Sequence, residues 1–227
     1  MQNSSNIAQK TISHDAAAGA AGYTKRLLSI YDFFVLQFAN TFAWKCPTSL
    51  ILDFYNQHVS NKHLDVGVGT GYFLDKCQFP SLHPIISLVD LNPNTLEFTA
   101  KRIRRYNPTS FIANVLEPLE IELTSFDSMG LNYLFHCLPG TLLSKGIVLK
   151  NLKPFLNNGG IVFGTTILGE NVTQNLIAQK MSSVLNSKGI FSNTNDKLED
   201  LETIFKENFR DYSIEVVGCV AFFFGRI

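Results

Sequence analysis

The sequence predicts an α/β fold built on a mostly parallel sheet. Short apolar runs alternate with helical periodicity along most of the chain, which is the pattern of strands joined by helical crossovers. A glycine cluster, Gly67, Gly69 and Gly71, stands between a predicted strand and a predicted helix. The chain then ends on two β-rich runs, Tyr212–Val217 and Val220–Arg226, close enough to pair.

From the N-terminus, residues 1–20 are rich in Ser, Asn, Gln and Ala without a sustained period, and read as a flexible tail. Apolar residues at helical spacing (Leu27, Leu28, Tyr31, Phe34, Val35, Phe38) predict a first helix. Pro47-Thr48-Ser49 starts a second. Strands are predicted at His63–Val66, Ile85–Asp90, Ser110–Val115, Phe126–Leu131 and Gly160–Ile167. Pro93 opens a helix reaching Arg105. Leu142–Phe155, ended by Asn157-Asn158-Gly159-Gly160, is a further helix, followed by Val172–Leu185 and Leu198–Phe209. The expected organisation is a helical region over 21–60 and a ligand-binding core over 61–227, forming one domain.

Composition narrows the function. The 227 residues carry 19 basic and 19 acidic side chains, so the formal net charge is zero. A broad nucleic-acid or anionic-membrane footprint needs a basic surplus, so neither partner is expected. Lys101, Arg102, Arg104 and Arg105 read as a solvated helix end, where cations are favoured. Cysteines 46, 77, 137 and 219 form no C-x-x-C pair, so no metal-ligand set is expected. They read as reduced, buried thiols of a cytoplasmic protein. No run reaches the roughly 18 apolar residues of a membrane helix.

The glycine cluster is the most informative segment. Asp65-Val66-Gly67-Val68-Gly69-Thr70-Gly71 turns the backbone sharply and presents N–H groups at a helix start. Its spacing is not the dinucleotide pattern, because Tyr72 stands where G-x-G-x-x-G needs its third glycine. No phosphate-binding G-x-x-x-x-G-K-[ST] is present either. Asp90 ends the second strand nineteen residues past Gly71. One carboxylate there can accept both hydroxyls of a ribose diol.

These residues resemble the class I S-adenosylmethionine-dependent methyltransferases, whose first motif is [DE]-x-G-x-G-x-G. The resemblance runs from about Tyr31 to the C-terminus. It implies a Rossmann-like, seven-stranded, mostly parallel sheet with helices on both faces, the last strand antiparallel, and an N-terminal helical cap. It implies S-adenosyl-L-methionine as cofactor, held by Asp65, Gly67, Gly69, Gly71, Asp90 and Leu91. Asn114 and Val115 would lie beside the adenine, with Asn114 standing where the family has an acidic residue. Asn132, at the fourth strand's end, would lie beside the methionine moiety. Tyr31, in Ile30-Tyr31-Asp32, resembles a Tyr-Asp pair that contacts the cofactor carboxylate. Phe33, Phe34, Phe38, Phe42 and Trp44 would then wall the acceptor pocket.

His136 is the one histidine near that site, and its ordinary pKa suits a catalytic base. Zero net charge and the aromatic-rich N-terminal region point to a small apolar or aromatic methyl acceptor, as in secondary metabolism. Oxygen, nitrogen and carbon acceptors all stay open. Two other readings are a non-catalytic cofactor-binding partner subunit and an aminopropyl transferase. The second needs a carboxylate cluster that Asn132–Leu138 lacks.

Overall fold

The computed structural model describes residues 32–120 and 124–227. Seven strands form one sheet: β1 (Lys62–Val66), β2 (Ile85–Asp90), β3 (Thr109–Ile112), β4 (Phe126–Asn132), β5 (Leu156–Ile167), β6 (Asp211–Val217) and β7 (Val220–Arg226). Their order is β3-β2-β1-β4-β5-β7-β6. β1 to β5 are parallel neighbours, and β7 runs antiparallel between β5 and β6. Chain direction across the sheet reverses at the β1/β4 boundary. There the connections diverge and leave a crevice at the strand C-termini.

The inner strands β1, β2, β4, β5 and β7 are mostly buried because helices cover both faces, while the edge strands β3 and β6 stay largely exposed. On one face α1 (Thr48–His58), α2 (Tyr72–Lys76) and α3 (Pro93–Arg102) bury Tyr55, Leu74 and Leu96 against Ile86, Leu88 and Phe163. On the other, α4 (Leu142–Lys145), α5 (Ile147–Leu152) and α7 (Leu198–Asn208) bury Leu142, Val148, Leu149 and Phe205 against Leu131, Val162 and Phe223. The helix Asp32–Ala43, wound with the wider π pitch, packs with α6 (Leu176–Ser187) over the end of β5 and β7. Asn175 joins those two helices, since its Oδ1 accepts from Ala178 N at 2.9 Å and its Nδ2 donates to Phe42 O at 2.8 Å.

Several boundaries differ from the sequence expectation. Residues 1–20 lie outside the described residues. The single helix expected over Leu142–Phe155 is two short α-helices, interrupted at Gly146, and a 3-10 turn at Lys153–Phe155. Gly146 lies so close to α7 that an added Cβ would stand 2.9 Å from Ile204 Cγ2. The Asn157–Gly160 segment does not end a helix. It is a bulge within β5, where Phe126 pairs with Leu156 and Ser128 with Ile161. The basic residues are not simply solvated, because Arg102 and Arg105 both bind Asp75.

One buried ion pair fixes the chain between α6 and α7. Lys145 Nζ donates to Asp196 Oδ2 at 2.7 Å and to Ser192 O at 2.6 Å, and both side chains are buried. Lys145→Met therefore strands Asp196, and unfolding in urea at pH 7 is expected to show a loss of about 3–5 kcal/mol. Adding Asp196→Leu to that variant is expected to restore most of the loss.

Candidate active site

The cleft opens over the C-terminal ends of β1 to β4 and encloses about 1170 Å³, its mouth included. Each strand delivers one lining segment: Asp65–Leu74 after β1, Asp90–Asn92 after β2, Ala113–Val115 after β3 and Asn132–Leu134 after β4.

Its floor is the glycine turn. Gly67, Gly69 and Gly71 have φ of 71°, 52° and 68°, the left-handed region that side-chain-bearing residues avoid. Space forbids side chains as well. A Cβ on Gly67 would meet Leu134 Cδ1 at 2.7 Å, and one on Gly71 would meet Thr99 Cγ2 at 2.6 Å. The turn is braced from α3: Thr99 Oγ1 donates to Gly69 O at 3.1 Å and Arg102 Nη1 to Thr70 O at 3.2 Å. Asp75 holds Arg102 and Arg105 in turn, with Arg105 Nη1 at 2.6 Å. Burial pushes the Asp75 carboxyl up, but the Arg105 hydrogen bond and the two guanidinium charges outweigh it and hold it below its usual value.

Two carboxylates flank the turn. Asp65 Oδ2 accepts from the Tyr55 hydroxyl at 2.8 Å. Asp90 Oδ1 accepts from Asn92 N at 2.8 Å, while the cap of α3 is Asn92, whose Oδ1 accepts from Asn94 N. Burial, with the Asp65 charge adding, pushes Asp90 up to about 6 against the opposing N–H bonds of Asn92 and Val68. A buried carboxylate of raised pKa at a strand end gains most from a ligand that offers donors.

The other expected site residues fall as follows. Leu91, Asn114, Val115 and Asn132 all line the cleft. Asn114 also shapes its own turn, with Oδ1 accepting from Leu116 N at 3.2 Å and Nδ2 donating to Glu117 at 2.9 Å. A second Oδ1 lone pair is left for a ligand. Asn132 Oδ1 accepts from Thr165 Oγ1 at 3.2 Å, and its Nδ2 is buried with no partner among the described residues. Tyr31 and the side chains of Phe33 and Phe34 lie outside the described residues.

Two expectations are corrected. His136 does not line the cleft, although its neighbours Tyr133 and Cys137 do. It is 3% exposed, lies 4.5 Å from the Phe191 ring, and its Nδ1 accepts from Ile167 N at 3.3 Å. Burial and the nearby Lys145 charge push it down to about 3, so it stays neutral and takes up no proton near neutrality. The expected aromatic wall also differs. Trp44 is core at 1% exposure, while Phe38 and Phe42 pack together with tilted rings at the surface, 46% and 49% exposed. Among the described residues, Leu36 of that region lines the cleft, and the aromatic side chains lining it are Tyr72, Phe73 and Tyr133.

Tyr133 was missed by sequence reasoning. It has φ of 57°, an unfavourable conformation for a non-glycine residue, and its hydroxyl donates to Asn40 Oδ1 at 2.8 Å. Asn40 Nδ2 donates to Thr48 Oγ1 at 2.9 Å, and Thr48 donates to Leu36 O. The strand end of β4 is thereby tied to the N-terminal helix across the cleft.

The donor and acceptor set fits a nucleoside bearing an amino-acid tail. The Cβ-free turn admits close approach, Asp90 offers a carboxylate to a diol, and Asn132 Nδ2 needs an acceptor. The left-handed turn also has a stability signature. Gly71→Ala combines φ strain with the Thr99 clash, so urea unfolding is expected to show a loss of about 1–3 kcal/mol.

Comparison with known proteins agrees. A methyltransferase domain family matches residues 64–164. The chain is 40% identical to the demethylluteothin O-methyltransferase of Streptomyces thioluteus, covering 96% of this chain and 94% of that one. It is 35% identical to the physcion biosynthesis cluster O-methyltransferase of Aspergillus chevalieri, covering 90% and 93%. In fold it is similar to an O-methyltransferase family protein from Burkholderia thailandensis (TM-score 0.63, 13% identity, 90% of this chain and 60% of that one). It is likewise similar to the N-methyltransferase NodS of Bradyrhizobium japonicum in complex with S-adenosyl-L-homocysteine (TM-score 0.55, 13% identity, 78% and 84%). With the glycine turn, the paired carboxylates and the sheet order in place, the chain belongs to the S-adenosylmethionine-dependent methyltransferases and transfers a methyl group to a small-molecule acceptor.

Proposed function

We propose that this methyltransferase acts on a hydroxyl oxygen of an apolar, aromatic-sized acceptor whose hydroxyl is itself acidic. The cleft's apolar rim carries this reading: Leu36, Tyr72, Phe73, Tyr133 and Leu138 face the space that the polar floor leaves. The names of the two relatives, both O-methyltransferases, support oxygen as the acceptor atom.

The strand order supports the following roles. Strands lie about 4.8 Å apart, so an extended ligand can cross several strand ends. Asp90 at the end of β2 accepts from the ribose diol. Leu91, Val115 and Asn114 hold the purine toward β3. The amino-acid tail is left over β1 and β4, where Asp65 attracts its ammonium and Asn132 Nδ2 donates to an oxygen. When bound, the cofactor supplies a methyl group already activated on a sulfonium. The protein's task is then alignment and exclusion of water, a contribution of up to about 7–11 kcal/mol in well-oriented reactions. Leu36 and Tyr133 close the acceptor side, held together through Asn40 and Thr48.

His136 is buried and neutral, and among the described residues no histidine, lysine or glutamate lines the cleft. The acceptor therefore brings its own acidity. With two acceptors of different hydroxyl pKa, the inflection of kcat/KM against pH is expected to move with the acceptor. With S-adenosylmethionine saturating at every pH, a fixed inflection near 6.5 on both would return the role to a histidine.

Asp90 sets a second pH dependence. The ionised carboxylate is the form that accepts from the diol, and its value in the free protein is about 6. Calorimetric affinity for S-adenosylhomocysteine is expected to be flat above that value. It should fall by about tenfold per pH unit as pH drops below it. Asp90→Asn should weaken binding roughly 10–100-fold at pH 7.5 and flatten the profile. Full affinity in that variant would remove Asp90 from the site.

A further inference from the structure

Beneath Asp65 lies a buried chain of polar side chains that the cofactor assignment does not use. Tyr55, His63 and Ser128 are fully buried. The Tyr55 hydroxyl donates to Asp65 Oδ2 at 2.8 Å and lies 2.8 Å from His63 Nε2. His63 Nδ1 lies 2.8 Å from Ser128 Oγ, which accepts from Ser60 N at 2.9 Å.

The directions at the Tyr55 end of this chain are set. Tyr55 has one proton and gives it to Asp65, so the His63 contact requires that Nε2–H donates to the phenol oxygen. Burial and the Asp65 charge hold the Tyr55 phenol well above its ordinary range, so that proton stays on oxygen. At its other nitrogen, Nδ1, His63 pairs with the Ser128 hydroxyl, and Ser128 accepts from the Ser60 backbone N–H. The chain is anchored on main chain at one end and ends at the cleft.

The sheet is shaped around it. His63 and Asp65 share one face of β1, two residues apart. Their partners on β4 are Ser128 and Gly130. Gly130 stands between Met129 and Leu131 in β4, and a Cβ there would lie 3.2 Å from both Asp65 Oδ2 and His63 Cε1. A glycine in mid-strand marks such a close approach.

We propose that Tyr55, oriented by His63 and Ser128, is a positioning residue for Asp65: it occupies Oδ2 and so turns Oδ1 toward the amino-acid end of the ligand. This rests on the proposed placement of that end over β1. His63 Nε2 already lies 3.6 Å from Asp65 Oδ2. Without the Tyr55 hydroxyl, the freed Nε2–H pairs with Asp65 directly and draws the carboxylate away from the cleft. Affinity then falls only for ligands that carry the amino-acid tail.

The test is calorimetric titration of wild type and Tyr55→Phe with S-adenosylhomocysteine and with 5′-methylthioadenosine, which keeps the nucleoside and lacks the tail. The expected result is about a tenfold loss for S-adenosylhomocysteine in Tyr55→Phe, with 5′-methylthioadenosine unchanged. An equal loss for both ligands would reduce Tyr55 to a structural role, and no loss for either would remove it from the site. Should Tyr55→Phe not fold, Ser128→Ala decides, because it leaves the phenol in place while freeing His63. A loss of about threefold, again confined to S-adenosylhomocysteine, is expected there, and an equal or absent effect overturns the proposal. Wild type that binds neither ligand would overturn the cofactor placement itself, and this inference with it.

Discussion

Two carboxylates, Asp65 and Asp90, end adjacent parallel strands on either side of a turn that has no room for side chains. Burying charge is costly, and burying two like charges together is costlier. The protein accepts that cost and compensates each group separately. Asp65 receives the Tyr55 hydroxyl. Asp90 receives the Asn92 and Val68 N–H groups and is still pushed up to about 6. Because that value lies above 3.8, ionising Asp90 weakens the free protein as pH rises between the two. On the proposed reading, a ligand diol supplies the donors that the free site lacks. The binding site is thus a place of unmet hydrogen-bonding demand held inside a well-satisfied fold.

Such a site keeps its shape only if its surroundings are stiff. The left-handed turn is clamped by Thr99 and Arg102 from a helix that is itself held by Asp75. On the other side, Tyr133 sits in a strained conformation because Asn40 and the backbone of Thr165 fix it there. Farther off, the Lys145–Asp196 pair secures the segment whose Ser192 N donates to His136 O. His136 serves that packing. Its ring fills the space between Phe191 and Tyr133, and its Nδ1 takes the Ile167 N–H.

How much of this could be read beforehand follows from how local each feature is. The glycine spacing, Asp65 and Asp90 were legible because a turn at a strand end is written in consecutive residues. The strand sequence was legible for the same reason. His136 was not, because whether it faces the cleft depends on Phe191 and Ser192, more than fifty positions away. The stripe at 31–44 has helical spacing, but spacing does not say which face meets the cleft, and the structure turns Trp44 into the core. Asn114 reads as a ligand or as a turn residue, and its amide is engaged in the turn. Tyr55 and His63 gave no local sign. Their one trace was Gly130, a glycine in mid-strand between Met129 and Leu131.

The division of labour between floor and rim follows from the chemistry. Displacement at a methyl carbon needs nucleophile, carbon and sulfur in line, and it asks little of acid–base groups when the acceptor is acidic. The invariant half of that alignment is the cofactor, so the dense hydrogen bonding, the glycines and the carboxylates are concentrated where it would lie. On the proposed reading the acceptor half is apolar, with walls from Leu36, Phe73 and Tyr133 that select by shape. Such a wall discriminates weakly, since one methylene in a hydrophobic pocket is worth only about 1–3 kcal/mol. A specific polar floor beside a permissive apolar rim would let this site hold one cofactor geometry while tolerating acceptors of different shape.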